Sequence, residues 1–197
     1  MTTFANILAI LLAAVLLFGL QQSTPYYSEI LSPVTVPAAA GKPAETGRFV
    51  FGVANVHMAG KLIVSSFAEP RVYTTSGRWL VIEAAARAQD ESVTLASAAW
   101  QGPSGRRFAS STRVHDPIGL LGSERLEPGI PRPMLLIFEL PEGEIDGGVL
   151  LIAETLVTPL SQQAEIAMTK VPPENRHEML TLARGGRVMP WTLEAGP

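Results

Sequence analysis

Residues 4–20 (FANILAILLAAVLLFGL) form an apolar run with no charge and one strongly polar residue, Asn6. A helix rises about 1.5 Å per residue, so such a run nearly crosses a hydrocarbon core about 30 Å thick. Its apolarity is uniform, whereas a core helix of a soluble protein keeps a polar face for water. This run predicts a single transmembrane helix over residues 1–22, and it ties whatever follows to a membrane.

A secretory signal usually carries a basic start, a shorter apolar core and a small-residue cleavage site. No Lys or Arg precedes this run, and Gln21, Gln22, Ser23, Thr24, Pro25, Tyr26 and Tyr27 offer no clear site. Ala38, Ala39 and Ala40 lie too far downstream. Tyr26 and Tyr27 suit the headgroup region, where aromatic rings collect. An uncleaved signal anchor is the expectation. Charge says little about orientation, because the first cation after the run is Lys42. A Pro- and Ala-rich tether leading to an all-β module places the C-terminal domain outside the cytoplasm.

The chain has 197 residues, room for an anchor, a tether and one domain of ordinary size. A formal net charge of −3 gives no electrostatic reason to expect nucleic acid. The absence of cysteine removes disulfides, thiolate nucleophiles and Cys-bound metals together. Charged residues make up 17% of the chain, below the usual ~25%, which hints at a surface partly covered by a partner.

Residues 31–46 hold three prolines and many small residues, and the stretch 23–47 is expected to be an extended tether. From residue 48 to 170 the pattern becomes short alternating runs bounded by Gly, Pro, Ser or Asp, the mark of strands and turns. In residues 78–88 Leu80, Ile82, Ala84, Ala86 and Ala88 share one face, while Trp79, Val81, Glu83, Ala85 and Arg87 share the other. Residues 132–140 give another strand, with Met134, Leu136, Phe138 and Leu140 as its apolar stripe. Further strands are expected at 49–56, 61–67, 93–100, 106–112, 149–157 and 164–170. That density of strands means a sandwich or a barrel. A short helix is expected between Pro172 and Gly185, with Pro173 in its first turn and Met179, Leu182 and Ala183 as its apolar stripe. It belongs to a C-terminal extension, residues 171–197, whose removal is expected to leave the sandwich folded. The extension has two open roles: packing back over a sheet edge, or docking to a neighbouring subunit.

Residues 76–83 (SGRWLVIE), 100–108 (WQGPSGRRF), 126–129 (LEPG) and 135–141 (LLIFELP), in this order, resemble the DUF4352 group of bacterial immunoglobulin-like domains. The resemblance covers residues 49–156. It implies an all-β, immunoglobulin-like β-sandwich, with glycines at turns and Pro141 closing a strand it cannot hydrogen-bond. It carries no catalytic residue; such domains look like envelope accessory or surface proteins.

The residues able to do chemistry are sparse. His57, His115 and His177 are far apart in sequence and read as surface or loop histidines, not as a metal-ligand set. Ser104 sits in a Gly102–Gly105 turn, and Arg106 breaks the pattern of a nucleophile elbow. Glu139, Glu142, Glu144 and Asp146 suggest a cation loop but lack an EF-hand pattern, so they read as a solvated patch. Arg106, Arg107 and Arg113 share a hairpin, with Arg125 and Arg132 nearby; a cationic face for headgroups or an acidic partner competes with plain solvation. Trp79 shares a face with Glu83 and Arg87 and is expected to be exposed. Trp79, Arg106, Arg107, Met189 and Trp191 are thus the residues expected to meet a partner.

The expectation is a non-enzymatic protein with no cofactor and no metal site. It is a single-pass protein of a bacterial inner membrane, its sandwich in the periplasm as an accessory or scaffolding subunit of a membrane-protein complex. A ligand-binding or sensing module is the alternative.

Overall fold

The computed structural model describes residues 2–23, 32–65, 69–114, 125–156, 160–186 and 189–196. The chain divides into two units, Met1–Ser32 and Pro33–Pro197. In the first, helix α1 (Thr2–Ser23) has 22 residues, about 33 Å long at the usual rise. It is long and apolar enough to cross a membrane, and its large apolar side chains from Phe4 to Leu20 are exposed.

The second unit is a β-sandwich. One sheet has the order β1-β11-β10-β6-β7, formed by Val34–Ala38, Gln162–Ala167, Val149–Ala153, Ser97–Gln101 and Arg107–Ala109. The other runs β13-β12-β3-β4-β9, formed by Trp191–Gly196, Arg176–Arg184, Phe49–Ser65, Arg71–Ala88 and Arg132–Leu140. The short β2 (Ala44–Glu45) pairs with β3, while β5 (Val93–Thr94) and β8 (Arg125–Leu126) make a small ladder.

Between the sheets lies a core that includes Phe49, Phe51, Leu80, Ile82, Trp100, Leu136, Phe138, Leu150, Ile152 and Ile166, all buried. The alternation expected for β4 and β9 is present: Leu80, Ile82, Ala84, Ala86 and Ala88 face the core, as do Met134, Leu136, Phe138 and Leu140. Strand β9 ends at Leu140, one residue before Pro141.

Two expectations give way. The stretch 23–47 is not tether throughout: β1 pairs in parallel with β11, Val34 opposite Gln162 and Ala38 opposite Ile166, and Ala44–Glu45 joins β3. Pro37 is tolerated because β1 is an edge strand, where a missing N–H faces no partner. The helix expected between Pro172 and Gly185 is a strand. After a single 3-10 turn at Pro173–Asn175, β12 adds in parallel to β3, Leu180 opposite Leu62 and Leu182 opposite Val64. An isolated helix of this length is marginal in water, whereas the open edge of β3 offers a partner to the backbone of β12. Leu180 and Leu182 alternate and are buried; the stripe of Met179, Leu182 and Ala183 fits the same letters at a different period. Strand β13 then pairs with β12, so the extension belongs to the sheet.

The register of β3 shifts twice against β4, between Val53 and Asn55 and between Ala59 and Lys61. A bulge inserts one unpaired residue and exchanges the two faces of the strand. Phe49 and Phe51 face the core, with Val53 packed against it; after the first shift Val56 and Met58 do so. Asn55, His57 and Ala59 therefore turn to the outer face of the six-stranded sheet.

Candidate functional site

That outer face carries a second apolar cluster: Ala59, Leu62, Val64, Trp79, Val81, Val114, Leu135, Ile137, Leu180, Leu182 and Trp191. Trp79 is fully buried in it, contrary to the expectation of an exposed ring. Its indole N–H donates to the Tyr73 carbonyl at 3.1 Å, Tyr73 lies edge-on at 6.4 Å between ring centroids, and the Arg113 guanidinium sits 5.5 Å above the ring. The alternation placed Trp79 on the correct face. The strands after residue 171 and the segment at Val114, which cover that face, were not visible in the local pattern.

Beside this cluster stands a polar group built from four strands. The first bulge aims Asn55 and His57 outward, Glu83 lies opposite Asn55 on β4, His177 lies opposite Ala59 on β12, and Trp191 opens β13. Asn55 Nδ2 donates to Glu83 Oε2 at 3.0 Å and Trp191 Nε1 donates to Glu83 Oε1 at 2.8 Å. His57 Nε2 lies 3.5 Å from Glu83 Oε2, an ion-pair distance too long for a full hydrogen bond, and this nitrogen has no other partner among the described residues. His57 Nδ1 and His177 Nε2 are 3.4 Å apart, with the rings stacked at 26°.

The contact with His57 and the two donors hold the Glu83 carboxyl at about 2, although burial pushes the other way. Burial, reinforced by the neighbouring His57, pushes the His177 imidazole below its ordinary value. The three titratable residues form a line, carboxylate to imidazole to imidazole. The two nitrogens of His57 face opposite partners, so they do not converge on one ion. Among the described residues no group of three or more His, Cys, Asp or Glu side chains is arranged to hold a metal. The group's evident work is to tie β13 to β4 through the indole of Trp191. His115 lies outside the described residues.

The other residues singled out in the sequence lie apart from this site. Arg106 reaches the buried Glu144 carboxylate, which also accepts from Ser104 Oγ at 2.7 Å. Ser104 and Arg106 keep that carboxyl below the usual range despite its burial. Arg107 is exposed and donates to Gln101 Oε1 at 3.1 Å; Met189 is 44% exposed. Thus the structure brings Trp79 and Trp191 into one cluster and leaves Arg106, Arg107 and Met189 elsewhere.

The acidic patch also has a different arrangement from the expected solvated loop. Glu139 pairs with Arg113 at 2.8 Å, Glu142 with Arg78 at 3.3 Å, Glu144 with Arg106, and Asp146 with Arg176. Each carboxylate has its own guanidinium. The last pair fixes the start of β12, because Arg176 Nε also donates to the Val171 carbonyl at 3.0 Å.

A cavity of about 210 Å³ opens between Val53–Val56 and Ala167–Pro172, with Lys170 and Asn175 on its wall. It falls below the ~300–1,000 Å³ of ordinary small-molecule sites.

No protein-family model matches the chain, and no curated protein matches it. Among solved structures it is similar to the yjhA protein from Bacillus subtilis, at 14% identity and a TM-score of 0.50, over 65% of this chain and 98% of that one. It is also similar to an uncharacterized β-sandwich protein from Clostridium difficile 630, at 13% identity and a TM-score of 0.44, over 74% of this chain and 100% of that one. At such identities the likeness to yjhA concerns the fold alone.

Proposed function

We propose that this chain is a non-catalytic, membrane-anchored β-sandwich that serves as an accessory or scaffolding subunit of a membrane-protein complex in a bacterial envelope. The observation that carries this reading is α1: 22 residues without a charged side chain, leading within a short stretch into a folded sandwich. The all-β character of the second unit and the resemblance of residues 76–83, 100–108 and 135–141 to the DUF4352 group support a domain outside the cytoplasm. The absence of a catalytic role is supported by the way the polar residues are used: Glu83, Glu139, Glu144 and Asp146 bind partners within the fold.

The test is purification of the tagged full-length protein in mild detergent, with sizing and mass spectrometry of whatever co-purifies. A complex of defined mass with other membrane proteins in fixed ratio supports the reading. A lone monomer overturns it.

A further inference from the structure

Six large apolar side chains outside α1 are exposed among the described residues: Val34, Val72, Ile130, Leu156, Leu160 and Met189. Their distribution is uneven. Val34 opens β1, and its N–H donates to the Ser161 carbonyl at 3.0 Å, which sets it next to Leu160. Leu156 follows the end of β10, where Ala153 pairs with Gln163. Ile130 bridges to Glu127 beside the Ala88 end of β4, and Ala88 pairs with Phe49. The Arg48–Glu154 ion pair, at 2.8 Å, joins that end of one sheet to the same end of the other. Four of the six therefore lie at one end of the sandwich. Val72, beside the β3–β4 hairpin, and Met189, before β13, belong to the segments beyond the second register shift of β3, not to that end.

The crowded end is where the chain arrives from α1. Ten residues separate Ser23 from Val34, and fully extended they reach at most about 36 Å. We infer that the end of the sandwich bearing Val34, Ile130, Leu156 and Leu160 rests on the bilayer that α1 crosses, with Leu156 and Leu160 entering the boundary between headgroups and acyl chains. Leu156 is 80% exposed and Leu160 64%, as side chains that meet an apolar boundary should be. The rim carries Asp90, Glu91, Glu127 and Glu154 against Arg48 and Arg125, and the arginines are paired with these acids. The contact is thus apolar and owes nothing to anionic lipid. It gives the domain a second point of attachment. The inference rests on the anchor reading of α1.

The chain's lack of cysteine allows single-site labelling of the full-length protein. Leu12→Cys, Val72→Cys, Leu156→Cys and Leu160→Cys, each carrying an environment-sensitive fluorophore, are reconstituted in vesicles of zwitterionic phosphatidylcholine. The expected result is that labels at 12, 156 and 160 shift to the blue and lose several-fold of their quenching by aqueous iodide, while the label at 72 stays aqueous. A protected label at 12 with aqueous labels at 156 and 160 overturns the inference and leaves the anchor standing. An aqueous label at 12 overturns the anchor and the inference together.

Discussion

Replacing Trp191 by alanine tests whether the C-terminal strands hold the domain together. Trp191 is 3% exposed, packs with Trp79, Leu180 and Leu182, and donates its indole N–H to Glu83. Truncating a buried Trp costs about 3–5 kcal/mol, and leaving a carboxylate short of one donor adds about 1 kcal/mol. Strand β13 is an edge strand packed from one side, which favours the lower end, about 4 kcal/mol for the whole change. A domain of this size holds about 5–15 kcal/mol in total, so the variant should fold yet sit near its limit. The assay is urea denaturation of the full-length protein in non-ionic detergent, followed by far-ultraviolet circular dichroism. With a slope of about 2 kcal/mol per molar, the midpoint should fall by about 2 M for Trp191→Ala. Trp191→Phe keeps most of the apolar area and loses the donor, so it should fall by less than half as much. A loss under about 1 kcal/mol for Trp191→Ala at unchanged slope would show that β13 is not packed on the outer face.

Acid should weaken the fold in two steps. The His177 imidazole is depressed, so as pH falls below about 6.5 the unfolded chain takes up a proton that the folded one resists, and stability drops. Glu83 is held at about 2 against an ordinary 4.5, so its contribution, about 3 kcal/mol, is present above pH 4.5 and is lost between pH 4.5 and 2. In denaturation curves taken across pH, His177→Phe should flatten the first step and Glu83→Gln the second. Gly77→Ala should be severely destabilising, by at least about 3 kcal/mol, because the new Cβ would stand 2.2 Å from the Leu140 carbonyl oxygen; an unchanged thermal midpoint would contradict that packing. Truncation after Val171 should unfold the domain or leave it open to proteolysis, since it removes Leu180, Leu182 and Trp191 at once.

What was legible in the sequence followed local rules. The apolar run of α1, the two faces of β4 and the stripe of β9 each depend on one segment's own period, and each appears as expected. What escaped depended on partners far along the chain. The prolines at 33 and 37 spoke for a free tether, and nothing nearby indicated that β11 would bind residues 34–38. Residues 176–184 fit two periods, and the open edge of β3 decided between them. The polar site was hidden for a further reason. A strict period of two carried from Phe49 puts His57 on the core face, and the shift between Val53 and Asn55 reverses it. Gly52 lies two residues before that bulge, but a lone glycine in a strand pattern does not say where, or whether, the register shifts. Gly77 stood in a motif whose reason was not legible: it permits close approach to Leu140, while positive φ occurs at Gly41, Gly105, Gly129 and Gly147.

The two parallel pairings set the order in which this domain can be made. Strand β1 waits for β11 and β3 waits for β12, each synthesised more than a hundred residues later. Contacts so distant in sequence slow folding, because the loop must close before any pairing rewards it. Until β12 is made β3 would therefore present a bare edge, and β13, which follows β12, is also the strand that caps the outer face. A nascent chain in that state is open to intermolecular strand pairing until β12 and β13 have emerged. The domain's yield in a cell should depend on how well that interval is chaperoned.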